Sequence, residues 1–145
     1  MELLTIEYEV INTGSARNYL NIWLGEEELI YWYYNTGQFT NVIKKWIALS
    51  EPTEFGISDY VDRAYFGDTL ELRFTKIQIG DQDLLADGLV QWEVSGPGVH
   101  EIVEEGGTTY LRIFMSSSVI RSGEITLRRI AFRRIDCSIP STNEN

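Results

Sequence analysis

Cysteine and histidine are nearly absent from this sequence: each occurs once, as Cys137 and His100. A lone cysteine closes no internal disulfide, and one Cys with one His cannot complete a tetrahedral zinc site. The chain therefore has to be held by its core. At 145 residues, 43% of them hydrophobic and 12% aromatic, it has the material to do so without a staple. Long apolar runs are missing too, and no stretch approaches the roughly 20 residues that cross a bilayer as a helix. The first residues, Met1-Glu-Leu-Leu-Thr-Ile-Glu, are acidic and alternating, unlike the basic-then-apolar start of a secretory leader. The expectation is a soluble cytoplasmic protein with no membrane partner.

Cations are also scarce. Twelve Lys and Arg stand against 22 Asp and Glu, for a net charge of −10. A broad basic surface for nucleic-acid phosphates is thereby excluded. The balance shifts along the chain: residues 1–110 hold 6 basic and 19 acidic residues, whereas residues 111–145 hold 6 arginines and 3 acids. Pairing of those arginines with acidic neighbouring strands accounts for them.

What is present is mostly period-two alternation. Leu4, Ile6, Tyr8 and Val10 against Thr5, Glu7 and Glu9 mark a half-buried strand. Further strands are expected at Tyr19–Leu24, Leu29–Tyr34, Phe55–Val61, Thr69–Ile79, Leu89–Val94, Val99–Val103, Thr109–Met115 and Gly123–Arg134. Turn signals separate them, among them Asn12-Thr-Gly-Ser, Gly96-Pro97-Gly98 and Gly106-Gly107. In the last strand Ile125 and Leu127 share one parity and Ile130 and Phe132 the other, as a β-bulge or a strand buried on both sides would give. One segment changes period: Phe39, Val42, Ile43, Trp46 and Ile47 follow helical spacing, with Asn41, Lys44, Lys45 and Ala48 opposite. That spacing predicts an amphipathic α-helix at about residues 37–49, capped by Asn35 or Thr36 and stopped before Pro52. The expected fold is thus mostly β, a sandwich or barrel of antiparallel sheets with one helix, or α+β. It forms a single domain over 1–137, followed by a polar tail at 138–145.

Motifs for chemistry are sparse. Asp81, Asp83 and Asp87, with Gly88, are the only hint of a cation loop, but the ligand scheme of a calcium loop breaks at Leu85, Ala86 and Trp92. His100 is the sole candidate for a histidine base, and no Gly-x-Ser-x-Gly elbow accompanies it. No glycine-rich phosphate loop is present, and no cofactor is expected. Paired carboxylates serving an enzyme remain an alternative that 22 acids cannot localise.

The most distinctive stretch is Tyr31-Trp32-Tyr33-Tyr34, preceded by Glu26-Glu27-Glu28. Alternation puts Tyr31 and Tyr33 on one face and Trp32 and Tyr34 on the other. Core packing on both faces is one reading; an exposed aromatic face with an acidic rim is the other. The second would suit a basic protein partner, as in an immunity or inhibitor protein covering a basic toxin or nuclease. The same rings could stack on a carbohydrate or small ligand. Non-enzymatic protein binding is the leading expectation, and self-association is compatible with it.

Overall fold

The computed structural model describes residues 1–13, 17–34, 37–48, 51–62, 67–116 and 123–131. The side chains of Arg17, Tyr33, Tyr34 and Asp62 lie outside the described set, as do Asn35, Thr36, Cys137 and the segment 138–145. Eleven strands are described: β1 (Glu2–Asn12), β2 (Arg17–Leu24), β3 (Glu27–Tyr34), β4 (Gly37–Ile47), β5 (Glu54–Asp62), β6 (Thr69–Ile79), β7 (Gln82–Asp83), β8 (Glu93–Ser95), β9 (Val99–Glu105), β10 (Thr108–Ser116) and β11 (Gly123–Ile130). Among the described residues there is no helix long and apolar enough to cross a membrane.

The strands form two antiparallel sheets. Sheet A runs β4-β1-β6-β10-β9, with β7 added to β6, and sheet B runs β3-β2-β5-β11-β8. The two orders are the same order. β1 leads into β2, β3 into β4, β5 into β6, β8 into β9 and β10 into β11, and each pair holds the same rank in its sheet. Consecutive strands of the chain thus take matching places in the two sheets. The turn at Gly25-Glu26 joins β2 to β3 as a two-residue hairpin, with Gly25 at φ 61° as such a turn requires. At Gly96-Pro97-Gly98, where β8 passes to β9, a Cβ on either glycine would collide with the backbone carbonyl of Glu124 or Phe114. Only glycine lets the crossing chain lie this close.

Alternation dictates the core. Leu4, Ile6, Tyr8 and Val10 of β1, Leu20, Ile22 and Leu24 of β2, Phe55 and Ile57 of β5, Leu70, Leu72 and Phe74 of β6, Leu111 and Ile113 of β10, and Ile125 and Leu127 of β11 all point between the sheets and are buried. Thr75 is the extra residue of a bulge against β1, which is why β6 switches parity to Ile77 and Ile79. A few inward slots carry polar groups that alternation does not foretell: Asn18 and Asp59 are fully buried, and Arg129 is nearly so.

Three expectations are corrected. Residues 37–47 are strand β4, paired with β1 along its whole length from Glu2↔Ile47 to Asn12↔Gly37, and not a helix. Leu89–Val94 is not a strand: residues 84–91 form turns, and only Glu93–Ser95 pairs with β11. The cause is Trp92, which is buried edge-on against Phe55 and donates its Nε1–H to the Leu84 carbonyl at 3.1 Å. Leu84, Leu85 and Trp92 thereby join the hydrophobic core. Finally, β11 pairs with β5 without a register shift up to Ile130↔Glu54. The change of parity within it is no bulge. Arg129 takes the inward slot, donating through Nη1 to the Leu84 carbonyl at 3.0 Å, and Ile130 faces out. Phe132 lies outside the described residues.

Candidate functional site

The two outer faces differ in kind. On sheet A the charges answer one another. Glu71 is bracketed by Arg73 and by Arg112 at 3.1 Å, and Arg112 also reaches Glu101 at 2.9 Å. Glu9 lies opposite Arg73, and Glu7 opposite Lys76. Arg73 and Arg112 additionally cover the rings of Tyr110 and Phe114 at 5.2 and 4.6 Å. Burial of Glu71 opposes its ionisation, but the hydrogen bonds and charges of both arginines outweigh that and hold its carboxyl below the usual range. A carboxyl depressed in the folded state contributes stability above its unfolded pKa and loses it as pH falls through the folded value. Glu71→Gln is therefore expected to destabilise the protein at neutral pH. The difference from the parent should shrink as pH falls below about 4.5, the unfolded value, as urea midpoints measured against pH would show.

Sheet B is different. Its register sets the outward side chains of β3, β2, β5, β11 and β8 in rows. The first holds Tyr19, Tyr60 and Glu124. The second holds Tyr31, Asn21, Ser58, Thr126 and Ser95. The third holds Glu28, Trp23, Gly56, Arg128 and Glu93. Tyr31 is 61% exposed and Tyr60 41%, and both rings lean on Tyr19, with centroids 6.5 and 6.0 Å from it. The Trp23 indole lies across Gly56, where any Cβ would collide with the ring. Its Nε1–H is held by Glu54 at 3.1 Å.

Between the tyrosines and the indole, short side chains leave an open basin of about 520 Å³. Asn21, Ser58 and Thr126 line it, and Glu26, Glu28, Glu124 and Arg128 stand around it. Ser58 donates to Glu124 at 2.8 Å, and Arg128 donates to Glu93 at 3.3 Å. Among the described side chains of this face, Glu26, Glu28, Glu54, Glu93 and Glu124 face a single cation, Arg128.

The residues singled out by sequence divide as follows. Glu26, Glu28 and Tyr31 come together on the outer face of sheet B. Glu27 points inward at the sandwich edge and pairs with Lys45 of β4. Trp32 also points inward, with its ring 4.3 Å from Phe39, yet it is 38% exposed because β3 is an edge strand. The side chains of Tyr33 and Tyr34 lie outside the described set. Asp81, Asp83 and Asp87 are all exposed, and Asp83 accepts the Leu85 amide at 2.9 Å. No group of three His, Cys, Asp or Glu residues is placed to hold a metal ion among the described residues. His100 sits on β9, its pKa pushed down by burial, and its Nε2, the atom a triad would aim at a serine, is buried without a hydrogen-bond partner.

Sequence reasoning missed Tyr19, Trp23, Tyr60 and Glu124. Their shared face depends on the order β3-β2-β5-β11, which alternation within one strand does not reveal. The chain matches no family model, no curated protein and no solved structure in comparison, so its function has to be read from the chemistry of this face.

Proposed function

We propose that the protein is a non-enzymatic binding module that presents the outer face of sheet B to a basic protein partner, as an inhibitor or immunity protein would to a cationic toxin or nuclease. One observation carries this reading. The outer charges of sheet A are largely paired with one another, while sheet B sets a surplus of carboxylates around exposed tyrosines and a flat indole. Aromatic rings with polar tips supply contact area, and unpaired like charge around them steers an oppositely charged partner and fixes its register. The test is titration calorimetry with basic globular proteins at rising ionic strength. Support is tight binding that weakens with salt and is lost on Gly56→Val, which drives Trp23 off the sheet. That substitution should leave the far-ultraviolet circular-dichroism spectrum unchanged, because the displaced atoms belong to a side chain at the surface. Binding that Gly56→Val leaves intact would count against the proposal.

A second reading has its own observation: a row of amide and hydroxyl groups, Asn21, Ser58, Thr126 and Ser95, runs between ring-bearing rows. Such a trough suits a carbohydrate, whose hydroxyls bond to the polar row while its apolar faces stack on the rings. A neutral oligosaccharide would bind with little salt dependence and would perturb indole emission. A basic protein would bind with a steep salt dependence.

A further inference from the structure

β3 and β4 are edge strands of their sheets, lie on the same side of the sandwich, and among the described residues are paired only on their inner sides. Between them lies an apolar cleft of about 400 Å³ lined by Ile30, Tyr31, Trp32, Phe39, Thr40 and Asn41. Such an edge is a template for another strand, and proteins commonly guard it with inward-pointing lysine. Lys45 is such a lysine, facing in opposite Leu4, but Glu27 of β3 neutralises it. The guard thus leaves room for an edge whose charges match.

We propose that this edge pairs with the same edge of a second copy of the chain, giving a two-fold dimer in which each sheet continues into the other sheet of the partner. The geometry permits it. β3 runs from the Glu27 end and β4 toward the Lys45 end, so the two run in opposite directions. A half-turn about an axis along the strands sets β4 of one copy beside β3 of the other, antiparallel. The Lys45–Glu27 contact sets the height of the two strands relative to one another within one copy. Carried across the two-fold axis, the same height places Lys44 against Glu28 of the partner subunit and, with Leu29 bulged out of the count, Val42 against Tyr31 of the partner subunit on the outer faces. Lys45 then meets Glu27 of the partner subunit, and Asn41 meets Trp32 of the partner subunit, on the inner faces.

Parity agrees at all four positions, and it agrees because Leu29 is the extra residue in the bulge between β2 and β3. β4 carries two lysines and no acid, whereas β3 carries two glutamates and no cation. The interface is therefore self-complementary, as a two-fold contact has to be. It also covers the exposed edge of Trp32.

Charge exchange tests this without touching the Lys45–Glu27 pair. Sedimentation of the parent chain from micromolar to near-millimolar concentration should show a closed monomer–dimer equilibrium. Lys44→Glu and Glu28→Lys, each outward on an edge strand, should separately weaken dimerisation by roughly tenfold or more, since each places like charges opposite at two symmetric positions. An equimolar mixture of the two variants should regain a dimer at least as strong as the parent's, because every reversed charge again faces its opposite. A parent chain that stays monomeric, variants that dimerise as well as the parent, or a mixture that stays monomeric would each overturn the proposal.

Discussion

Trp92→Ala is expected to lower the unfolding free energy by about 3–5 kcal/mol, the usual range for emptying a large buried aromatic site. The indole is 7% exposed, packs edge-on against Phe55 at 6.0 Å, and lies 5.8 Å from the Arg129 guanidinium. Its Nε1–H and Arg129 Nη1 both bond to the Leu84 carbonyl. Losing the ring removes one of these donors and opens the end of the core that Leu84 and Leu85 close. For a chain of this size the fall in Tm should be on the order of 10 °C. Val90 in the same turn region is 83% exposed, and Val90→Ala should change stability by less than about 0.5 kcal/mol. Chemical denaturation of both variants separates a plug that completes the core from a loop resting on the surface. Near-equal effects would mean the latter.

The second large effect concerns binding. Tyr60 sits on β5, the central strand of sheet B, away from the β3–β4 edge, so Tyr60→Ala tests the face without disturbing the proposed dimer. Truncating a central aromatic anchor typically costs about 2 kcal/mol or more, which is roughly a thirtyfold rise in Kd. Glu26→Lys, at the rim, should act mainly by slowing association with a basic partner and flattening its salt dependence. Asp87→Lys makes the same charge change on the far loop of the molecule and should alter both quantities much less. Stopped-flow association at several salt concentrations reads out all three.

Much of this fold was legible in the chain. Strands with one face inward, such as β1, β2 and β6, announce themselves by alternation. β4 did not, because it is an edge strand. Val42 and Trp46 face outward and are 54% and 63% exposed, while two of its inward slots hold Asn41 and Lys45. Asn41 reaches inward because it can donate to the Tyr8 hydroxyl at 3.0 Å, and Lys45 because Glu27 meets it. Apolar residues outside and polar residues inside broke the period of two and left an accidental helical spacing. The composition pointed the other way: Phe39, Thr40, Val42, Ile43, Trp46 and Ile47 are strand-favouring residues.

Arg129 misled in the same manner, a cation in a core-facing slot that looked like a shift of register. The binding face was legible in part. Tyr31 with Glu26 and Glu28 stood out in sequence, whereas Trp23, Tyr60 and Glu124 join them only through strand order. Nor could sequence show that cations largely balance the acids on the outer face of sheet A, while the described acids of sheet B outnumber their one cation, Arg128, which is the contrast on which the functional reading turns.

That contrast can be measured directly by following the backbone amides of the isotope-labelled protein by NMR during titration with a short lysine- and arginine-rich peptide. Saturable shifts are expected on the outer face of sheet B alone, at Tyr19, Asn21, Trp23, Tyr31, Ser58, Tyr60, Glu124 and Thr126, with Glu71, Arg73 and Arg112 of sheet A unmoved. Shifts spread over both faces in proportion to local acidity, or centred on sheet A, would contradict that expectation.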